Sequence, residues 1–278
     1  MARWRKLGLI AGAGALPLRI AAAAPRENLH VIRLEGVADE ALKRFPGDEC
    51  GLAELGKIIR LMKAAGCDAA MLAGVVRRPD FASLRPDWRG AALIPTLIAA
   101  AAKGDGAILA AIVETLEGEG FLVIGADEAL KDLAAPEGPL GRERPDTEDF
   151  ADIGKAAALI RALGPFDVGQ GAVVAGGHVL AVEAAEGTDA MLDRCAGLAT
   201  QERRRGVLVK RPKPGQELRV DLPVIGAETV RRAAKARLRG VAVEARAALI
   251  IDARETAAIA DALGLFVYGF TEAELRAL

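Results

Sequence analysis

Strand-like runs alternating with helical segments predict an α/β fold: a Rossmann-like N-terminal domain on a parallel sheet, then a mixed α+β C-terminal domain. Three observations carry this reading. Short, almost wholly apolar runs close on glycine, as strands buried on both faces of a parallel sheet do; Leu7-Gly8-Leu9-Ile10-Ala11-Gly12 is the clearest. Between such runs, apolar residues recur at helical spacing. The chain, at 278 residues, also exceeds the usual size of one domain and carries a Pro-, Gly- and charge-rich stretch near its middle. The expected division is residues 1–132, a linker over 133–149, and residues 150–278.

In the first half, residues 6–11, 30–34, 68–76 and 121–124 read as strands from their apolar, β-prone content. Residues 16–24, 53–65, 96–102 and 107–117 read as helices; the second stops at Gly66 and the third begins after Pro95. In the second half a helix is expected over 153–163. A hairpin follows, its arms 171–175 and 178–183 joined by Gly176-Gly177. Helices over 188–195, 227–238 and 257–263 come next, with strands at 207–210, within 241–251 around Arg246, and at 265–268. No internal repeat is present.

Composition narrows the function. A formal net charge of −1 provides no global basic field, so nucleic acid is not an expected partner. Cys50, Cys67 and Cys195 are far apart with no CxxC pair, which argues against a disulfide framework or a zinc knuckle. With only His30 and His178 as histidines, acid–base or metal chemistry has to rest on carboxylates. Residues 91–102 are the nearest approach to a membrane span, but fall short of the ~20 residues required and contain Pro95. The N-terminus has the basic-then-apolar look of a signal peptide, but Arg19 interrupts it within a continuous strand–loop–helix pattern, so a cytoplasmic location is expected.

Five motifs can carry chemistry, each with a plainer alternative. Gly12-Ala13-Gly14 follows the first strand and opens a helix, where backbone and helix N-terminus can receive a phosphate. Pro17 stands where a dinucleotide fingerprint wants its third glycine, although Glu35 sits where a ribose-binding acid would; a plain glycine turn is the alternative. Arg77 and Arg78 follow the third expected strand and can grip phosphate bidentately, or form a solvated loop salt-bridged to Asp80; Lys103-Gly104-Asp105 can join the same mouth or simply end a helix. Gln170, between Gly169 and Gly171, exposes an amide or marks a tight turn. In 183–189, glycine, hydroxyl and carboxylates meet at a helix start: Thr188 and Asp189 either cap that helix or hold phosphate and a hydrated divalent cation. Finally, Lys210, Arg211 and Lys213 on a proline-stiffened loop form an anion clamp or an ordinary solvated charge run. Asp221 beyond them is suited to a metal ion or to work as a base.

Together these describe a nucleotide-type loop in one half and an anion-plus-carboxylate constellation in the other. In order along the chain, the stretches 7–17, 74–81, 103–105, 167–174, 182–191, 210–214 and 219–226 resemble the LpxI-type UDP-2,3-diacylglucosamine pyrophosphatases of lipid A synthesis. The resemblance implies that the first domain holds the UDP moiety and the second the acylated sugar. It implies hydrolysis to UMP and 2,3-diacylglucosamine 1-phosphate (lipid X), by water attacking the sugar-side phosphorus with a divalent ion, typically Mg2+. Asp221, in Arg219-Val220-Asp221-Leu222-Pro223, falls on the family's critical aspartate, with Asp189 the second expected metal ligand. Gly12, Ala13, Gly14, Arg77, Lys103 and Ile124 would then lie near nucleotide or substrate. Gln170, Gly187, Thr188, Asp189, Lys210 and Lys213 would hold phosphates and sugar. Peripheral contact with the inner membrane and a homodimer are compatible with this role. Two rival readings are an NAD-linked oxidoreductase built on Gly12, Gly14 and Glu35, and a non-catalytic binder of nucleotide-sugar lipid.

Overall fold

The computed structural model describes residues 3–76, 86–101, 104–198 and 205–277. The chain divides into two compact units, Met1–Lys131 and Asp132–Leu278.

The first unit runs β1 (Leu7–Ala11), α1 (Ala15–Ala23), β2 (Leu29–Leu34), β3 (Gly47–Cys50), α2 (Leu55–Ala64), β4 (Ala69–Ala73), α3 (Trp88–Ala101), α4 (Asp105–Gly118), β5 (Leu122–Val123) and α5 (Ala126–Ala129). Its five strands are all parallel in the order β3-β2-β1-β4-β5, the doubly wound arrangement expected from alternating strands and helices. Every residue of β1 is buried, which is why that run carries no polar side chain. Gly8 has a packing reason: a Cβ there would lie 2.3 Å from the Cε of Met62 on α2.

Short helix α5 was not expected, and two further elements differ from the sequence reading. Strand β3 was not expected, because Gly47-Asp48-Glu49-Cys50 is mostly polar; it is an edge strand paired only with β2, and its outer side tolerates polarity. Helix α3 passes through Pro95 rather than starting after it. A proline removes one backbone bond, and the surrounding turns of this helix carry on across the gap.

The second unit comprises β6 (Gly138–Pro139), α6 (Thr147–Leu163), β7 (Gly171–Ala175), β8 (His178–Val182), α7 (Gly187–Leu198), β9 (Val207–Lys210), β10 (Val224–Ile225), α8 (Ala227–Lys235), β11 (Gly240–Glu244), β12 (Leu249–Ile250), α9 (Ala253–Leu263), β13 (Phe266–Phe270) and α10 (Glu272–Arg276). A mixed six-stranded sheet has the order β6-β13-β11-β9-β7-β8, and β10 pairs with β12 alongside. Strands β9, β11 and β13 are mutually parallel, whereas β7 runs antiparallel to both β8 and β9. Side chains alternate across the sheet. Val173, Leu208, Val241 and Val243 pack with Met191, Val230 and Ala260 of α7, α8 and α9. Val174, Val207, Val209 and Ala242 pack with Ile153, Ala157 and Ile160 of α6 on the other face.

Residues 133–149, expected as a linker, are built into this unit. Ala134 bridges Leu249, the Ala135 amide donates to the Ala248 carbonyl at 2.9 Å, and β6 adds to β13. Prolines and glycines there suit a short sheet edge as well as a linker, and composition does not separate the two. Helix α6 also starts earlier than expected, through a capping box: Asp146 accepts from the Asp149 amide at 3.0 Å, and Asp149 accepts from the Asp146 amide at 3.1 Å.

Asp152 of α6 is 2% exposed and accepts from the Gly176 and Gly177 amides at 2.8 and 2.7 Å, fixing the tip of the β7–β8 hairpin. Asp152→Ala is expected to cost about 1–3 kcal/mol, because it removes the two charge-assisted bonds that tie the exposed hairpin tip to α6. An unchanged urea midpoint would rule out this tie as a determinant of stability.

Candidate active site

In the first unit the strand order reverses between β1 and β4, the point at which open α/β sheets take their ligands. Gly12, Ala13 and Gly14 leave β1 there, and Gly74-Val75 leave β4. The two loops are laced together: Gly12 N–H donates to Ala73 at 2.8 Å, Ala13 N–H to Val75 at 3.0 Å, and Val75 N–H back to Ala13 at 2.8 Å. The glycines serve this crossing. A Cβ on Gly12 would lie 2.8 Å from the Val75 carbonyl oxygen, and one on Gly74 would lie 2.6 Å from that of Ala13. The first two amides of the loop are therefore already engaged. Gly14, at φ 98°, starts α1 without a side-chain cap and with open space over its Cα, so the helix N-terminus is the part that can meet an anion. Ile124 follows β5 with its side chain 1% exposed, filling the core. Arg77, Arg78 and Lys103 lie outside the described residues.

In the second unit the register assembles a polar cluster. Because β7 is antiparallel to β8 and β9, its start lies beside their ends: Gly171 pairs with Lys210, and Glu183 N–H donates to the Gly171 carbonyl at 2.8 Å. Lys210, only 6% exposed, donates through Nζ to the Thr188 hydroxyl at 2.7 Å and to the Val224 carbonyl at 3.4 Å. Thr188 in turn donates to Glu183 Oε1 at 2.9 Å. Gln170 Nε2 reaches Asp221 Oδ1 at 3.4 Å. The backbone carbonyl of Asp221 accepts from the Gln216 amide, whose own oxygen accepts from Lys213 N–H at 2.8 Å, so the loop is folded back on itself. Lys213 forms an ion pair with Asp167, which sits in the left-handed region at φ 54°.

The basic run divides by role. Arg211 is bound to Glu272 at 2.6 Å and Glu244 at 3.1 Å, and Arg219 to Glu217 at 2.8 Å, so both serve the structure. Lys210 and Lys213 belong to the cluster. Asp189 sits in the first turn of α7, which starts at Gly187 (φ 79°); its carboxylate is 61% exposed and 3.5 Å from Arg232, in a group with Asp193 and Glu228. The sequence reading did not single out Glu183, Asp167 or Gln216 as site residues. Glu183 and Asp167 stood at the edges of quoted motifs, but nothing in their spacing showed which would be buried.

Burial pushes the Asp221 carboxyl above its ordinary range, and Asp167 adds to this; Lys213, the Gln170 bond and Lys210 pull the other way without prevailing. The side-chain oxygen of Gln170 and Oε2 of Glu183 are buried acceptors with no hydrogen-bond partner among the described residues. Unpaired amide and carboxylate oxygens, the first on the residue that bonds the half-buried Asp221, suit a hard divalent cation. Among the described residues no three His, Cys, Asp or Glu side chains group as a metal cage. A magnesium-type ion does not need one, since it keeps waters and takes substrate phosphates as ligands. The thiols offer nothing comparable: all three are buried, and Cys50 and Cys67 are pushed up to about 11.

The models of the LpxI N-terminal domain and the LpxI C-terminal domain match residues 6–133 and 136–268. The chain belongs to the LpxI family. It is also 50% identical over 272 residues to the UDP-2,3-diacylglucosamine pyrophosphatase LpxI of Caulobacter vibrioides, an alignment that covers 95% of this chain and 97% of that protein. Both halves of this LpxI-family chain are thus matched, and the switch-point loop and the Asp221 cluster each lie inside a matched domain. Among the described residues no helix is long and apolar enough to cross a membrane.

The raised Asp221 pKa has a stability consequence of definite sign. A carboxyl that holds its proton more tightly when folded contributes stability below its unfolded pKa and loses it as pH rises through the folded value. In metal-free buffer at pH 8, Asp221→Asn should therefore melt above the wild type, and the difference should vanish on acidification below the ordinary aspartate range. A variant that melts lower at pH 8 contradicts this account of Asp221.

Proposed function

We propose that this chain hydrolyses the pyrophosphate of UDP-2,3-diacylglucosamine to UMP and 2,3-diacylglucosamine 1-phosphate, with a divalent cation, Mg2+ by preference. The observation that carries the reading is the half-buried Asp221 beside Lys210, Lys213 and Gln170, within a chain 50% identical to a pyrophosphatase of that name. The first unit takes the UDP moiety, at the α1 N-terminus above Gly14 and with Arg77, Arg78 and Lys103. The second takes the sugar and its 1-phosphate, with Gln170, Gly187, Thr188, Lys210 and Lys213.

The protein's own groups divide the work. Lys210 and Lys213 set positive charge where the phosphoryl oxygens gain negative charge, and Lys210 is held for this by Thr188 and the Val224 carbonyl. Asp221 is half-buried, and the lost hydration gives its carboxyl a stronger hold on a proton than an exposed aspartate has. A divalent cation, when bound, neutralises the diphosphate and makes a water more acidic, and Asp221 anchors it. Phe166 and Leu218, 75% and 47% exposed on the segments that carry Asp167 and Asp221, offer apolar surface to acyl chains and to the membrane face from which the lipid comes.

The oxidoreductase reading is not favoured, because Pro17 breaks the glycine fingerprint and packs against Gly74: its Cγ lies 2.7 Å from where a Cβ on that glycine would be. The test is chromatography of UDP-2,3-diacylglucosamine after incubation with the protein. UMP and lipid X are expected, EDTA should suppress them, and Asp221→Ala should stay folded while losing on the order of 10^3-fold or more in rate. Binding without UMP release would mark a carrier instead, and wild-type turnover by the variant would remove Asp221 from the chemistry.

A further inference from the structure

Glu183 and the Gly169-Gln170-Gly171 motif account for each other. Glu183 follows β8 and is 8% exposed. A Cβ on Gly169 would lie 1.9 Å from its carbonyl oxygen, and a Cβ on Gly171 would lie 2.4 Å from its Oε2. Gly171 thus leaves the room that this carboxylate occupies, and Gly169 lets the Glu183 backbone come close. Its Oε1 accepts from Thr188, but its Oε2 is buried with no hydrogen-bond partner. Lys210 connects to Glu183 only by way of the Thr188 hydroxyl. Gln170, one residue from Gly171, brings a second buried oxygen without a partner, while its nitrogen faces Asp221. A fold seldom buries two acceptors bare, and a carboxylate least of all, unless something positive completes them. Carboxylate and amide oxygens are the donor types a hard divalent cation takes.

We propose that Glu183 Oε2 and the Gln170 side-chain oxygen are protein ligands of the divalent cation, with Asp221 as the third, and that Asp189 is not one. Asp189 is exposed and paired with Arg232, whereas Glu183 is enclosed and incomplete. Phosphate oxygens of the substrate and water fill the remaining positions. This assignment rests on the metal-assisted reading above. It also gives the Lys210–Thr188–Glu183 chain a purpose: it turns Oε1 toward Thr188 and leaves Oε2 for the ion.

The test is Mn2+ alone titrated into the full chain, with free Mn2+ read by electron paramagnetic resonance and the fold of each variant checked by circular dichroism. Wild type should bind, Asp189→Asn should bind equally, and Glu183→Gln should bind at least about tenfold more weakly, as expected when a charged ligand is lost. Gln170→Ala, at a half-buried position, should also weaken binding and so keeps the test decisive if Glu183→Gln does not fold. If Asp221→Asn loses Mn2+ while Glu183→Gln and Gln170→Ala keep wild-type affinity, the ligand assignment fails and the metal-assisted reading stands. If wild type takes up no Mn2+, both fail together.

Discussion

Lys210 ends β9 inside the second unit, and a buried ammonium has to find acceptors there. It finds the Thr188 hydroxyl and the Val224 carbonyl, and through Thr188 it is coupled to Glu183. The antiparallel register of β7 makes this possible, because it sets the start of one strand beside the ends of two others. Gln170, Glu183 and Lys210 are carried to one end of these strands by backbone pairing alone. The loop bearing Lys213 and Asp221, folded back on itself by Gln216, meets this group through the Gln170–Asp221 bond. A shift of one residue in that register would send Lys210 to the opposite face and dismantle the cluster.

The two units treat glycine and charge differently. In the first, glycines let two loop backbones cross at the sheet's switch point, and the anion-binding capacity lies in the α1 N-terminus rather than in the glycines themselves. In the second, Gly171 makes room for the Glu183 carboxylate, while Gly169 lets the Glu183 backbone approach. A glycine therefore stands for backbone proximity at Gly12 and Gly169 and for a buried carboxylate at Gly171.

The basic loop shows how burial sorts charges that look alike in sequence. Arg211 and Arg219 sit within a few residues of Lys210 and Lys213, yet each is matched to carboxylates of the scaffold. The two lysines adjoin Thr188, Asp167 and the half-buried Asp221. An arginine fork suits a fixed bidentate partner, and a lysine serves as a point charge on a flexible stem.

Much was legible in the chain itself. Apolar runs ending in glycine gave the parallel sheet, Gly176-Gly177 gave the hairpin, and the segments around Gly12, Gln170, Thr188, Lys210 and Asp221 carried the family likeness. These follow from local periodicity and turn chemistry, which act over a few residues. Strand β3 and the role of 133–149 were not legible, because an edge strand and a sheet-bound loop have no composition of their own. Nor was the meeting of Gln170 with Asp221, 51 residues apart, or of Thr188 with Lys210, 22 apart. Which carboxylate is enclosed and which faces water, Glu183 or Asp189, depends on long-range register and packing. Burial is a property of what surrounds a residue, and only the folded chain brings those surroundings together.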